Sequence, residues 1–335
     1  MKILLYFESE NLLKTSGIGR ARLHQIKALK SQGIDVTTNI NDSYDVLHIN
    51  TYGVNSSNII SQAKELGKPV IYHAHSTEED FRNSFIFSNK LSPIYKKRLV
   101  SLYSQSDYII TPTPYSKSIL EGYGINVPIE AISNGIDIER YQYDEEKVKA
   151  FYRYFNLTKD KKIIISVGLY FERKGLIDFI EVAKKLPDYT FIWFGYTYPM
   201  LIPKNVQEVL YDYPKNVIFP GYVKGPIIEG AYLASDCFFF PSYEETEGIV
   251  VLEALASKSK ILLRNIPVYD PWMIDNVNCY MGNNVFEFVN ILKDIIENKL
   301  PDLTNAGYDT ALSKSLENIG IKIKNIYTKV INNEF

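Results

Sequence analysis

The chain has 335 residues, 46% of them hydrophobic and 23% charged, and its formal net charge is −2. These values are typical of folded globular proteins, and the length indicates two domains. The near-neutral charge argues against a nucleic-acid binder, and only two cysteines, Cys237 and Cys279, argue against a disulfide framework. No apolar run approaches the ~18 residues of a membrane-spanning helix. We therefore expect a soluble, cytoplasmic protein.

The first half of the chain alternates short apolar runs with amphipathic helical stretches. Strands are predicted at Ile3–Phe7, Val36–Thr38, Val46–Ile49, Val70–Ala74, Asp107–Thr111 and Ile129–Ile132, and helices at Ile18–Lys30, Asn55–Leu66 and Leu91–Tyr103. Strand and helix in alternation indicate a parallel sheet covered by helices on both faces.

The same pattern restarts after a predicted polar connecting helix at Asp144–Phe155. Strands are predicted at Lys162–Val167, Thr190–Phe194, Val217–Phe219, Cys237–Phe240 and Lys260–Leu263, and helices at Lys174–Leu186, Pro226–Ala234 and Gly248–Ser257. The sequence therefore predicts two α/β domains, residues 1–150 and 151–312, followed by a C-terminal helix at 313–335. That helix carries an apolar stripe, and its spacing leaves open which domain it covers.

Small and cationic residues follow the strands of the second half, where open parallel sheets bind their ligands. Glycines follow three of these strands, at Gly168, Gly195 and Gly221, and Arg173 and Lys174 lie in the loop that Gly168 opens. Glycine permits close backbone approach to a ligand, and Arg and Lys suit a phosphate. Ordinary turn chemistry explains any single glycine, but the set together favours a nucleotide-type ligand.

The segment 241–256, PSYEETEGIVVLEALA, separates two glutamates by eight positions. We expect Glu245 in a loop and Glu253 one to two turns into the following helix, with Thr246 as a helix cap. Such a helix N-terminus presents free N–H groups to an anion. The alternative is a solvated acidic loop formed by Glu244, Glu245 and Glu247, which fits less well after a strand as apolar as CFFF.

This segment resembles the E-x7-E motif of retaining glycosyltransferase family 4, whose fold is GT-B. Other segments resemble that family in the same order: GIGR at 17–20, VIYHAH at 70–75, SNGID at 133–137, VGLYFERKG at 167–175, ASDCFFFPS at 234–242 and DNVNCY at 275–280. The resemblance implies two doubly wound Rossmann-like domains that face a central cleft, with a C-terminal helix that could cross back to the first.

The resemblance also implies roles for individual residues toward a nucleotide sugar. Glu253 would accept hydrogen bonds from the ribose, and Glu245 would hold hydroxyls of the transferred sugar. Arg173 and Lys174 would neutralise the diphosphate, and His75 would orient the donor sugar or the acceptor, although His73 lies nearby. Backbone groups would complete the donor site at Gly17, Gly19, Gly168, Gly195, Gly221, Thr246, Glu247 and Gly248.

Two departures from the family pattern stand out. The family usually has Arg directly after the glycine that follows strand 162–167, and this chain has Leu169, so Arg173 would have to substitute. Asn276 and Cys279 replace two glycines of the later D-G-x-N-G stretch. The family mechanism retains anomeric configuration by front-face attack and needs no enzymic nucleophile. No metal and no cofactor besides a UDP-sugar donor are expected, because no D-x-D motif is present.

The first domain would bind the acceptor. Phe85 and Lys90 precede the predicted amphipathic helix, which carries Lys96, Lys97 and Arg98, a combination that suits an anionic membrane surface. An ordinary packing helix is the equal alternative. The chain resembles the Gram-positive glycolipid synthases that add a second hexose, glucose or galactose, to monoglucosyl-diacylglycerol. This resemblance implies a peripheral position on the inner face of the cell membrane.

The sequence leaves two other functions open and excludes a third. A transferase acting on a polysaccharide, a protein or a small molecule would share the donor site. A non-catalytic GT-B partner subunit stays open because of Leu169. An NAD-dependent dehydrogenase is rejected, since Gly17 and Gly19 would need a third glycine where Arg22 stands.

Overall fold

The computed structural model describes residues 1–8 and 16–334, and the chain divides into two compact units. The first unit contains Met1–Phe81, Lys90–Asp137 and the C-terminal stretch from Lys314. The second unit contains Ile138–Ser313 together with the short segment Arg82–Asn89. The units therefore differ from the expected ranges 1–150 and 151–312, since the boundary precedes residue 150 and the chain enters the second unit twice.

A six-stranded parallel sheet forms the centre of the first unit among the described residues. Its strands are β1 (Lys2–Tyr6), β2 (Asp35–Thr37), β3 (Val46–Ile49), β4 (Val70–His73), β5 (Tyr108–Thr111) and β6 (Ile129–Ala131), in the order β2-β1-β3-β4-β5-β6. Its helices are α1 (Gly17–Ser31), α2 (Ser56–Glu65), α3 (Glu78–Phe81), α4 (Ser88–Tyr103), α5 (Pro114–Gly122) and, after the second unit, α13 (Leu316–Ile331).

A second six-stranded parallel sheet, again counted over the described residues, forms the centre of the second unit. Its strands are β7 (Ile163–Val167), β8 (Thr190–Phe194), β9 (Val217–Gly221), β10 (Cys237–Phe240), β11 (Ile261–Arg264) and β12 (Tyr280–Gly282), in the order β12-β11-β10-β7-β8-β9. Its helices are α6 (Glu145–Phe155), α7 (Leu176–Lys185), α8 (Lys204–Tyr211), α9 (Pro226–Ala234), α10 (Ile249–Ala256), α11 (Val285–Ile296) and α12 (Thr304–Ser313).

The predicted α/β class and both parallel sheets are confirmed, and every predicted strand is present within a few residues of its expected bounds. The helices α3, α5, α8, α11 and α12 and the strand β12 have no counterpart among the predicted elements. The predicted polar connecting helix is confirmed as α6, and it also packs through the buried Val148 and Phe151. It approaches α9 so closely that a Cβ on Gly230 would lie 2.0 Å from the Lys147 carbonyl oxygen.

The C-terminal helix α13 belongs to the first unit, which answers the question that its spacing left open. Ile319, Ile323 and Ile326 join the same buried cluster as Ile3 and Leu29. At the centre of the contact, a Cβ on Gly320 would lie 2.2 Å from the Ala28 carbonyl oxygen of α1. The chain therefore begins and ends in one core, and Gly320 permits the two helices to approach.

Replacing Gly320 by alanine should destabilise the first unit, because the added methyl meets backbone that cannot move aside. We expect the free energy of unfolding to fall by about 1–3 kcal/mol, measured by urea denaturation. Gly122→Ala is the matched control, since Gly122 ends α5 and a Cβ there meets nothing within 4 Å. Equal effects of the two substitutions would contradict this account of the α1–α13 contact.

Candidate active site

Two predicted donor-site glycines lie against each other at the ends of β7 and β8. The Gly168 amide donates to the Phe194 carbonyl oxygen at 2.8 Å, and the Trp193 indole donates to the Gly168 carbonyl oxygen at 2.8 Å. Gly195 has φ +147°, and a Cβ there would lie 1.9 Å from the Gly168 oxygen. Packing of the backbone thus requires Gly195, and its contact with a donor stays a prediction.

Arg173 is held rigidly in a single turn of 3-10 helix, Glu172–Lys174. Its side chain is buried, with Nε donating to Ser84 Oγ at 2.7 Å and Nη1 to the Glu244 carbonyl oxygen at 2.9 Å. Its backbone N–H donates to the Asn83 carbonyl oxygen at 2.9 Å. Arg173 is therefore positioned by the segment Arg82–Asn89, and no motif in that segment signalled this.

Glu245 lies close to both cationic side chains of the same turn. Its buried carboxylate pairs with Lys174 Nζ, accepts from Ser242 Oγ at 2.7 Å, and lies 4.0 Å from Arg173 Nη1. Burial by itself would raise the pKa of Glu245, but Lys174, Arg173 and Ser242 outweigh it and hold the pKa below its ordinary value. The cluster therefore combines one carboxylate with two cations and keeps a positive balance.

The acidic segment is built as expected around a loop and a short helix. Glu245 lies in the loop, and Glu253 lies in the second turn of α10, where its carboxylate accepts from the Tyr232 hydroxyl at 2.7 Å. Glu245 and Glu247 are buried, so the solvated-loop interpretation is wrong for these two residues, and Glu253 is buried in the helix. The expectation that Thr246 caps the helix is also wrong, because Gly248, with φ +90°, holds the N-cap position without a side-chain cap.

Arg264 supports this loop and was missed by the sequence analysis. It is buried at the end of β11, donates to the carbonyl oxygens of Pro241 and Asn283 at 2.9 and 2.6 Å, and pairs with Asp178. Its guanidinium lies 3.8 Å from the centre of the Tyr243 ring. Its place at the carboxyl end of a strand was a usable signal, but its partners are distant in sequence.

In the first unit, Gly17 and Gly19 lie in the first turn of α1 and not in a loop. The Ser16 side chain caps this helix by accepting from the Gly19 N–H at 3.3 Å. A helix N-terminus can bind an anion, so the predicted phosphate contact keeps a physical basis. Residues 9–15, which precede this helix, lie outside the described residues.

His75 lies just beyond β4 and is buried together with His73. The two rings stack with centres 4.1 Å apart, and His75 Nε2 donates to Asn50 Oδ1 at 2.9 Å. Burial lowers the pKa of His75 to about 3, with a smaller opposing effect from a hydrogen bond to Asn134. His75 is therefore a neutral imidazole at ordinary pH.

The predicted membrane-facing residues divide into two groups. Lys96 pairs with Glu78 at 3.6 Å and lies over the Tyr123 ring, and Arg98 donates to the Gly53 carbonyl oxygen at 2.6 Å. Lys90 and Lys97, in contrast, are exposed. In the second unit, Phe85 is half-buried, with its ring centre 6.5 Å from that of Phe171. Of the predicted cations, Lys90 and Lys97 are thus the best placed to meet a surface.

Comparisons with known proteins agree with this arrangement of motifs. Residues 37–140 match the model of Glycosyltransferase Family 4, and residues 149–311 match that of Glycosyl transferases group 1. A processive diacylglycerol alpha-glucosyltransferase of Acholeplasma laidlawii is 45% identical over 332 residues, covering 99% of each chain. An alpha-galactosylglucosyldiacylglycerol synthase of Streptococcus pneumoniae is 28% identical over 76% of this chain and 69% of its own.

Solved structures support the same fold. Anabaena HepE in complex with UDP-glucose superimposes with a TM-score of 0.78 at 17% identity, over 98% of this chain and all of that one. Sucrose-phosphate synthase from Thermosynechococcus elongatus gives 0.80 at 14% identity, over 99% and 100%. The predicted GT-B class is thus confirmed.

The chain belongs to the glycosyltransferase family that is described by the models of Glycosyltransferase Family 4 and Glycosyl transferases group 1. It is a nucleotide-sugar-dependent transferase, as the sequence analysis expected.

The Lys174–Glu245 pair should couple strongly in stability. Lys174→Met leaves a buried carboxylate with weaker compensation, and we expect the free energy of unfolding to fall by about 3 kcal/mol at pH 7, measured by urea denaturation. Adding Glu245→Gln removes the uncompensated charge and should recover much of that loss. A double variant as unstable as Lys174→Met alone would contradict the pairing.

The same pair predicts a pH dependence with a defined sign. The folded-state pKa of Glu245 is lowered, so its contribution is present above the ordinary pKa of 4.5 and is lost as the pH falls through the folded value. The stability difference between the wild type and Glu245→Gln should therefore shrink below about pH 4.5.

Proposed function

We propose that this chain transfers glucose from UDP-glucose to monoglucosyl-diacylglycerol, with retention of configuration and without a metal ion or other cofactor. The observation that carries the proposal is the 45% identity, over 99% of both chains, to a relative named as a processive diacylglycerol alpha-glucosyltransferase. The intact cluster of Arg173, Lys174 and Glu245 supports catalysis over a non-catalytic role, because a partner subunit has no need of it.

The donor would be held by the residues of the second unit. Arg173 and Lys174 would bind the diphosphate. Arg173 would substitute for the arginine that the family usually has at the position of Leu169. Glu245 would accept hydrogen bonds from hydroxyls of the transferred sugar, since a carboxylate offers more acceptor sites than Ser242 and Lys174 occupy. Glu253, fixed by Tyr232, would accept from the ribose hydroxyls.

The reaction needs no enzymic nucleophile. The acceptor hydroxyl oxygen forms a bond to the anomeric carbon while the bond from that carbon to the diphosphate oxygen breaks. The hydroxyl proton passes to a phosphate oxygen of the departing UDP. Arg173 and Lys174 stabilise the charge that grows on that phosphate, which is the electrostatic contribution expected of preorganised cations.

A transfer assay tests the donor and the acceptor together. UDP-glucose, UDP-galactose, UDP-N-acetylglucosamine and GDP-mannose are each combined with diacylglycerol, monoglucosyl-diacylglycerol or water. We expect diglucosyl lipid from UDP-glucose, and a loss of turnover of about 10²–10³-fold in Lys174→Ala, because one of the phosphate cations is removed. Lys184→Ala, which removes an exposed lysine of α7, is the matched control.

Each other result has a definite meaning. Product from UDP-galactose alone would replace the donor, and product from diacylglycerol alone would replace the acceptor. Donor hydrolysis without lipid product would favour a polysaccharide, protein or small-molecule acceptor. No consumption of any of these donors would overturn the proposed UDP-glucose donor and leave a nucleotide sugar outside this set.

We further propose that the enzyme binds a membrane surface peripherally through α4. Among the described residues, no helix combines the length and hydropathy that crossing a bilayer requires. Lys90, Leu91, Ile94 and Lys97 are all exposed and follow helical spacing along one face, with Leu91 45% and Ile94 68% exposed. Apolar side chains between lysines suit the boundary of an anionic bilayer.

The double substitution Leu91→Glu and Ile94→Glu should weaken binding to anionic vesicles by at least about tenfold, because it replaces buried apolar contact by repulsion. Co-sedimentation with phosphatidylglycerol vesicles measures it. Ile321→Glu is the control, since Ile321 is also 45% exposed but lies on α13. If the wild type, the double variant and Ile321→Glu bind the vesicles equally, α4 is an ordinary packing helix and the membrane proposal is wrong.

A further inference from the structure

Three histidines form a buried column in the first unit. His48 lies in β3, His73 ends β4, and His75 follows two residues later. The ring centres of His48 and His73 are 5.4 Å apart, and those of His73 and His75 are 4.1 Å apart with nearly parallel planes. Their exposed fractions are 0, 2 and 8%. Three titratable rings are thus stacked away from water at the carboxyl ends of two central strands.

The column is bound by amide and hydroxyl groups. The hydroxyl oxygen of Tyr327, in α13, lies 2.6 Å from His48 Nδ1. The side-chain nitrogen Nε2 of Gln25, in α1, lies 2.9 Å from His48 Nε2 and 3.4 Å from His73 Nδ1. His24, the neighbour of Gln25, turns instead to the Gly135 carbonyl oxygen at 2.8 Å. Gln25 and Tyr327, which contact the column, are uncharged, and the buried Arg22 lies one turn before Gln25 on α1.

The outermost ring, His75, has the most informative contacts. Its Nε2 lies 2.9 Å from Asn50 Oδ1, and an amide oxygen can only accept, so Nε2 carries the proton. The Asn50 amide fixes the orientation of the ring without supplying the negative charge that would stabilise an imidazolium. The Asn134 side chain, which opposes the effect of burial on the pKa of His75, is uncharged as well.

Burial and the stack act in the same direction. Burial lowers the pKa of His48 and of His75 to about 3, and the pKa of His73 is lowered by burial and by the two neighbouring rings. Burial raises the pKa of Tyr327 well above its ordinary value, so its hydroxyl stays neutral as well.

We propose that Asn50 is a positioning residue that holds His75 as a neutral imidazole with its proton on Nε2, so that His75 serves the reaction by hydrogen bonding and not by proton donation. The inference rests on the proposed function and on the role that the family resemblance implies for His75, which is to orient the donor sugar or the acceptor. It agrees with a reaction in which the acceptor proton passes to the leaving phosphate, since that route requires no histidine acid.

The wild-type protein provides a direct test that needs no variant. Two-dimensional ¹H–¹⁵N NMR of the imidazole groups distinguishes the protonated form and the two neutral tautomers. We expect His75 to be neutral with the proton on Nε2 from about pH 8 down to about pH 5. A charged His75 at about pH 6, or a proton on Nδ1, would overturn the inference.

Asn50→Asp supplies the complementary kinetic test, because it keeps the shape of the side chain and adds the charge that the wild type avoids. A facing carboxylate should raise the pKa of His75, so kcat/KM should fall by at least about tenfold between pH 8 and pH 6, relative to the wild type. Asn58→Asp makes the same chemical change at an exposed site of the same unit. A profile for Asn50→Asp that superimposes on that of Asn58→Asp would refute the role of Asn50.

Failure of the two proposals can be told apart. If His75→Ala retains full activity, the proposed role of His75 is wrong, whatever the state of the ring. If His75→Ala loses activity while Asn50→Asp keeps the wild-type pH profile, only the role of Asn50 is wrong. Should Asn50→Asp not fold, the NMR spectrum of the wild type still decides the question.

Discussion

The second unit depends on the requirement that a buried carboxylate must be compensated. Glu245 loses its water on burial, which is costly unless cations and hydrogen-bond donors replace it. Lys174, Arg173 and Ser242 supply that compensation. For these groups to meet, the turn that carries the cations must lie against the strand end at Pro241, and a Cβ on Gly175 would be 2.2 Å from the Pro241 oxygen. The need to compensate Glu245 therefore accounts for Gly175, for the turn that carries the cations and for the loop that carries the carboxylate.

The two units stabilise these clusters of buried polar side chains in different ways. The second unit pairs opposite charges, which suits a region expected to receive a diphosphate. The first unit instead buries a neutral network in which His48, His73 and His75 are met by amides and a hydroxyl. A neutral network suits sugar hydroxyls, which need both donors and acceptors but no net charge.

Part of the fold could be predicted because its signals are local. The apolar run at 162–167 and the run CFFF at 237–240 indicate buried parallel strands, and both are present. The helices α8 and α12 were missed because α8 has little buried surface and α12 has weak periodicity. The placement of Glu245 in a loop and of Glu253 in the following helix was predictable to a similar extent, because it depends on their spacing and on the apolar strand before them.

The sequence by itself determined the fold class, the presence of two sheets and the two segments that carry Arg173 with Lys174 and Glu245 with Glu253. Short-range patterns of hydrophobicity and residue spacing predict these features. Only the tertiary structure decided that segment 82–89 holds Arg173, that Tyr327 reaches His48 and that Asn50 holds His75. It also decided that Lys96 and Arg98 are engaged by Glu78 and Gly53 while Lys97 stays exposed. Each of these contacts joins residues far apart along the chain, so it exists only after the sheets and helices have packed.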